Sequence, residues 1–165
     1  MTRPARRSAA KVGVGEVGTG VRWYNRRSME RTFAIVKPDA VAAGHAGKIL
    51  DRIIAEGFTV LDMRMVRLTK AEAEGFYHVH RERPFFSGLT DFMSSGPIVV
   101  LALEAPDAIK RWRDVMGPTD PAKASPGSLR REFGTSIERN ATHGSDAPET
   151  AAFELGYFFR GVELI

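Results

Sequence analysis

The chain contains no cysteine, so disulfide scaffolds and thiolate metal centres are excluded, and a reducing compartment is compatible. It has no apolar run near the roughly 18 residues that a spanning helix requires, so an integral membrane protein is not expected. The N-terminus lacks the apolar core of a secretory signal. No Gly-x-x-x-x-Gly-Lys-Ser/Thr loop is present, which removes the P-loop enzymes, and no Gly-x-Ser-x-Gly elbow is present, which removes the common serine hydrolases. Histidine is scarce, with four residues. Two of them, His78 and His80, form an H-x-H. On a helix, two residues two apart point about 200° from each other, so no transition-metal site is expected there.

The 165 residues, 43% hydrophobic and 27% charged, suit one globular domain that can bury a core unaided. The net charge of +4 is unevenly spread. Residues 1–28 hold seven basic groups and one acidic group, +6, and residues 29–165 hold 17 basic and 19 acidic groups, −2. The first 28 residues read as a disordered basic extension, and 29–165 as the folded domain. For the extension, a transit peptide, a nucleic-acid arm and an upstream segment before a start at Met29 all stay open. The mildly acidic domain removes most of the support for nucleic acid as a partner.

Thr32–Val36 reads as a strand ended by Lys37-Pro38-Asp39. Ile49, Leu50, Ile53 and Ile54 give a helix closed by Gly57. Phe58–Leu68 reads as a strand, with Leu61, Met63 and Met65 on its buried face. Thr69-Lys70-Ala71-Glu72 has capping-box spacing and opens a helix through about His80. Pro84-Phe85-Phe86 interrupts it, and a short helix follows to Met93. Ile98–Leu103 reads as a central strand buried on both faces. Pro106-Asp107 opens a helix with Ile109, Trp112 and Met116 on one side. Residues 117–128 form a long loop. Residues 140–144 lead out of the sheet, and Asp146-Ala147-Pro148-Glu149 opens a last helix in which Asp146 caps, Glu149 takes the third position, and Phe153 and Tyr157 form the apolar side. The class is α/β in the α+β sense: a ferredoxin-like βαββαβ sandwich with a four-stranded antiparallel sheet, helices packed on it, a long loop and a C-terminal helix.

Several residues could carry chemistry. His143 lies between a strand end and a helix start, and Gly144 beside it permits close approach by a ligand or an unusual turn. A neutral imidazole can act as a nucleophile, and Glu154, eleven residues on, could orient the far ring nitrogen. A lone loop histidine is more often structural or solvated. Lys37, Arg83, Arg113 and Arg130 sit at element ends or in loops, where guanidinium forks suit phosphate oxygens, although solvated surface charge is the plainer reading. In Arg83-Pro84-Phe85-Phe86, one ring could stack on a nucleobase, while Phe86 reads as core.

Together, Asn140-Ala141-Thr142-His143-Gly144-Ser145-Asp146, Val36-Lys37-Pro38-Asp39, Tyr77 through Phe86, Ser95-Gly96-Pro97, Met116 through Pro121 and Pro126 through Arg130 resemble the motifs of the nucleoside diphosphate kinase family, in the same order. The resemblance covers residues 30–165. It implies a ping-pong enzyme that takes the γ-phosphoryl of a nucleoside triphosphate onto a histidine and passes it to a nucleoside diphosphate, with broad base tolerance. By this resemblance His143 is the nucleophile, through Nδ1, and Glu154 holds its ring. Lys37, Tyr77, His80, Arg113, Thr119, Arg130 and Asn140 surround phosphates and sugar, and Phe85 stacks on the base. Mg²⁺ is the implied cofactor, bridging phosphate oxygens with no protein metal site. The implied assembly is a homo-oligomer, tetramer or hexamer, with loop 117–128 at hexamer contacts. The implied location is cytoplasmic, and the short C-terminus suits a bacterial-type member.

Three positions depart from the family pattern. Ala147 replaces a helix-start serine, Asp120 replaces an asparagine, and Pro118 stiffens its loop; a modest effect on nucleotide affinity is expected. The competing reading is a non-catalytic domain of this kind recruited to nucleic acid by the basic extension. A ferredoxin-like RNA-binding module would need a Lys/Arg-Gly-Phe-type strand motif, and none is found.

Overall fold

The structure is a computed structural model, and it describes residues 29–161. The expectation for residues 1–28 lies outside the described residues. Four strands form one sheet in the order β2-β3-β1-β4: β1 Met29–Val36, β2 Thr59–Arg67, β3 Pro97–Pro106 and β4 Thr142–Gly144. Every neighbouring pair is antiparallel. The helices are α1 Pro38–Ala42, α2 Ala46–Ala55, α3 Lys70–Phe76, α4 Phe86–Ser94, α5 Ala108–Met116, α6 Leu129–Phe133 and α7 Pro148–Phe158. This is the expected antiparallel sandwich.

The central strands explain the layering. Successive side chains of a strand point to opposite faces. On β1, Ala34 and Val36 join Val99, Leu101 and Leu103 of β3 beneath α2 and α5, where Ile49, Ile53, Trp112 and Met116 complete one core. Phe33 and Ile35 join Ile98, Val100 and Ala102 on the other face, under Phe76, Phe92 and Leu155 of α3, α4 and α7. The unbroken apolar run of β3 is therefore buried on both sides, as its pattern predicts.

Several local expectations are corrected. Met63 and Met65 are exposed at 46% and 63%, and the inward side of β2 passes to Arg64 and Val66, which are half-buried. The register shift between Val60 and Asp62 opposite β3 is the cause, because one extra residue inverts the alternation beyond it. On α2, Ile49 and Ile53 are buried, but Ile54 falls on the solvent side. The capping box at Thr69 and Glu72 is present, yet its helix ends at Phe76 and a short 3-10 turn covers His78–His80. Two further helices, α1 and α6, lie where no helix was expected.

Residues 142–144 stay in the sheet, with His143 paired to Ile35 of β1. Ala147, not Asp146, is the cap residue of α7. Thr150 takes the third helical position, and its hydroxyl accepts from the Ala147 and Asp146 amides at 2.9 and 3.1 Å. The inward side of α7 is Ala151 and Leu155, while Phe153 and Tyr157 are about 40% exposed. Among the described residues, no helix is long and apolar enough to cross a membrane.

Candidate active site

The chain reaches the site through a backbone conformation that L-residues avoid. Ala141 has φ 69°, a left-handed geometry that costs a β-carbon about 1–2 kcal/mol. Three contacts hold it. Its carbonyl accepts from the Lys37 amide at 2.8 Å, its amide donates to Asp39 Oδ2 at 3.0 Å, and its side chain is fully buried. The twist places Asn140 on one side of the bend and β4 on the other. Next along the chain, the His143 carbonyl accepts from the Trp112 indole at 3.1 Å. A β-carbon on Gly144 would lie 2.4 Å from Trp112 Cδ1. The close approach at Gly144 is made by a core indole.

The His143 ring is fixed from behind by α7. Its Nε2 lies 2.9 Å from Glu154 Oε1, and Ser145 Oγ donates to Glu154 Oε2 at 2.6 Å. Ser145 Oγ in turn accepts from the Phe33 amide at 3.2 Å. An ionised carboxylate only accepts, so this contact puts the ring proton on Nε2 and leaves the lone pair on Nδ1. Phe76 and Tyr77 pack edge-on against the imidazole, with centroids at 5.7 and 6.0 Å.

In front of His143 lies a cavity of about 1050 Å³. Lys37, Tyr77, His80, Phe85, Arg113, Thr119, Arg130, Asn140 and His143 all line it, and Glu154 stands behind the ring. Residues scattered over more than a hundred positions are thus brought together. Lys37 Nζ donates to Asn140 Oδ1 at 2.7 Å and to the Glu138 carbonyl at 3.4 Å. Asn140 Nδ2 donates to the Thr119 carbonyl at 3.0 Å. Arg130 donates to the carbonyls of Gly117 and Thr142, each at 3.0 Å. Burial lowers the Lys37 ammonium to about 8, with the Arg130 charge adding to the effect. Burial and the nearby Arg113 lower Arg130 to about 10. Desolvation, then Arg83 and His143, lower His80. Burial leads each of these shifts, and the neighbouring cations add to it.

Other polar groups are left waiting. The Tyr77 hydroxyl is buried and has no hydrogen-bond partner among the described residues, as is Arg130 Nε. Burial, followed by Glu154, raises the Tyr77 phenol far above its ordinary value. Phe85 is 54% exposed at the rim beside His80, with centroids 5.6 Å apart, whereas Phe86 packs on the core. Arg83 does not line the cavity. Asp120, the acidic departure, accepts from the Ala122 amide at 3.0 Å and faces Lys123 at 3.8 Å.

Sequence reasoning gives no site role to Ser145 or Asp39, although both stand inside the quoted motifs, and reads Trp112 only as the apolar side of its helix. Ser145 was visible inside the His143 motif. The roles of Asp39 and Trp112 depend on long-range contacts that no local spacing encodes.

The family model for nucleoside diphosphate kinase matches residues 30–164. The chain is 65% identical over 137 residues to a nucleoside diphosphate kinase of Desulfotalea psychrophila, covering 83% of this chain and all of that protein. It is 64% identical over the same length to one from Syntrophotalea carbinolica, again over 83% of this chain and all of the relative. Among solved structures, the nucleoside diphosphate kinase of Aquifex aeolicus superposes with a TM-score of 0.82 at 52% identity, covering 84% of this chain and 100% of that one. The enzyme of Halobacterium salinarum, solved in complex with CDP, gives 0.80 at 36% identity, covering 84% and 92%.

Proposed function

The chain belongs to the nucleoside diphosphate kinase family, and from that premise we propose that His143 is the residue that carries the phosphoryl group. The activity is transfer of the γ-phosphoryl of a nucleoside triphosphate to a nucleoside diphosphate, by a ping-pong route through a phosphohistidine. The observation that carries the residue assignment is the His143–Glu154 pair at 2.9 Å. It leaves Nδ1 as the free nucleophile of a ring that lines the cavity.

The step is a displacement at phosphorus. Nδ1 forms a bond to the γ-phosphorus as the bond from that phosphorus to the bridging oxygen breaks, and the nucleoside diphosphate leaves. The second half-reaction runs the same exchange in reverse, onto a terminal oxygen of a new diphosphate. Glu154 holds the ring and stabilises the positive charge that the imidazole gains. Lys37, Arg113 and Arg130 face the phosphate oxygens, where charge accumulates, and their fixed placement avoids reorganisation. Thr119 and His80 add donors along the phosphate tail. Asn140, held by Lys37, offers its amide to sugar and phosphate, as does the unpartnered Tyr77 hydroxyl. Phe85 stacks on the base. Stacking reads no base edge, so many bases are accepted; the CDP complex of the Halobacterium relative fits such a pocket.

Mg²⁺ fits as a passenger of the nucleotide. Among the described residues, no three His, Asp or Glu side chains gather to cage a metal, and Mg²⁺ commonly binds through substrate phosphates. Bound with the nucleotide, it would supply charge neutralisation on the phosphates beside Lys37, Arg113 and Arg130. Residues 29–165 form the kinase domain in this reading, 1–28 are an extension to it, and the enzyme acts in the cytoplasm as a tetramer or hexamer. Light scattering on the purified chain measures that assembly.

The test of the residue assignment is labelling and chase. With γ-labelled ATP and Mg²⁺, the protein takes up acid-labile, base-stable label and passes it to GDP. His143→Ala takes up none and still binds nucleotide. Label on the alanine variant overturns the assignment.

A further inference from the structure

The cations of the cavity are not all engaged alike. Lys37 and Arg130 donate to neutral oxygens of Asn140, Glu138, Gly117 and Thr142. Arg113, in the last turn of α5, instead donates to the carboxylate of Asp146. Both residues line the cavity, and their side chains are 51% and 71% exposed. The pair joins two elements that converge on His143, the end of α5 and the segment between β4 and α7. Asp146 has no task at the start of α7, because the Thr150 hydroxyl serves those amides. An exposed ion pair of this kind adds little to stability, and a carboxylate just before α7 gains only a modest helix-dipole contribution, so the fold gives little reason for an acid at this position. A negative charge beside a polyanion's seat opposes binding of that polyanion.

We infer that Asp146 is a resident counter-anion for Arg113: it holds the guanidinium that a nucleotide phosphate later takes, and it must be displaced for the nucleotide to seat. The inference rests on the reading of the cavity as a nucleotide site. Its consequence is kinetic. In a ping-pong cycle one pocket must bind and release both di- and triphosphates, and a carboxylate ready to recapture Arg113 loosens each of them. Asp146 is a positioning residue that acts through Arg113, and it takes no part in the bonds that form and break.

The test is ADP binding by calorimetry on the full chain, with EDTA and with Mg²⁺, at about 0.05 M and about 0.5 M salt. Without the metal and at low salt, Asp146→Asn should bind ADP about three- to fivefold tighter than the wild type, the scale set by an exposed pair. The gain should shrink at high salt and vanish in an Arg113→Ala background. Arg113→Ala alone should weaken binding. Asp146→Asn binding equal to or weaker than wild type in EDTA overturns the inference. So does a gain that persists undiminished in the Arg113→Ala background, which would mean bulk repulsion with no part for Arg113. If Arg113→Ala leaves ADP binding unchanged, Arg113 holds no nucleotide phosphate and the inference fails, whereas absence of ADP binding in the wild type would overturn the nucleotide reading of the cavity itself.

Discussion

The buried wall of the cavity includes His143, Lys37, Asn140 and Tyr77, and its exposed rim includes Phe85, Arg113 and Thr119. On the wall, the side chains are buried or nearly so, and each of the first three is bonded to another part of the chain: His143 to Glu154, Lys37 to Asn140, Asn140 to Thr119. On the rim, all three residues are exposed, and Arg113 is engaged by a carboxylate at the surface. The difference separates two tasks. The reacting group needs one geometry, which burial and hydrogen bonding impose before substrate arrives. The nucleotide must enter and leave, and exposed groups can close on it without unmaking the core. Substitutions in the wall should therefore change stability or the chemical step, and substitutions on the rim should change affinity.

The largest effect should come from filling the space behind the wall. Gly144→Ala drives a β-carbon into the Trp112 indole, which is fully buried. Overpacking of this kind costs about 3 kcal/mol, visible as a lower urea midpoint, with activity falling alongside. An unchanged midpoint would mean that β4 can shift away from α5, and that the wall is less fixed than its contacts imply.

Next comes Glu154→Ala, which removes the group that holds Nε2. The fold should survive, since Glu154 lies at the site and not in either core. Turnover should fall about 100-fold, near 3 kcal/mol in the barrier, with KM little changed. Glu154→Gln should recover part of the loss by keeping a partner for the ring. An equal loss in both variants would assign the role to charge over orientation.

Lys37 tests the wall by pH. Its ordinary value of 10.5 is lowered to about 8 in the folded chain. The unfolded chain therefore binds more protons than the folded one between about 8 and 10.5, so the stability contribution of this group rises with pH across that window and is lost as pH falls through 8. Activity runs the other way. In the proposed reading the ammonium holds phosphate, so kcat/KM should drop about tenfold per pH unit above 8. Lys37→Arg keeps its charge and should flatten that limb while lowering the plateau. A limb that stays in place in the arginine variant belongs to another group.

How legible all this was depended on range. The core was readable wherever a pattern was local: the run 98–103 of β3 is buried on both faces, and the Thr69–Glu72 box caps α3. Patterns failed where a distant partner intervened. The shift at Val60/Asp62 is visible only against β3, and it turned Met63 and Met65 outward. The expected facing of the last helix fails because Ala151, Leu155 and Phe158, not Phe153 and Tyr157, meet the sheet side. The site residues that the motifs named line one cavity, with Glu154 behind it. Ser145, Asp39 and Trp112 escaped because their work is to hold other residues: a hydroxyl shared by Glu154 and Phe33, a carboxylate under Ala141, an indole on the His143 carbonyl. Such roles leave no spacing to read.

The smallest effect sharpens the comparison from the rim. Phe85 is 54% exposed and precedes α4 as its cap residue, so the folded chain gains little from its ring. Phe85→Ala should leave the unfolding midpoint within about 0.5 kcal/mol of wild type. A stacked base contributes roughly 1–3 kcal/mol, and a half-exposed ring at a rim belongs at the low end, so KM should rise about fivefold for purine and pyrimidine nucleotides alike. At saturation kcat should hold, because the ring touches neither His143 nor the transferring group. Phe85→Tyr should restore KM, since the proposed contact uses the π-face and not the edge. A fall in kcat with unchanged KM would place Phe85 with the wall, and the division of labour between wall and rim would then have to be redrawn at that residue.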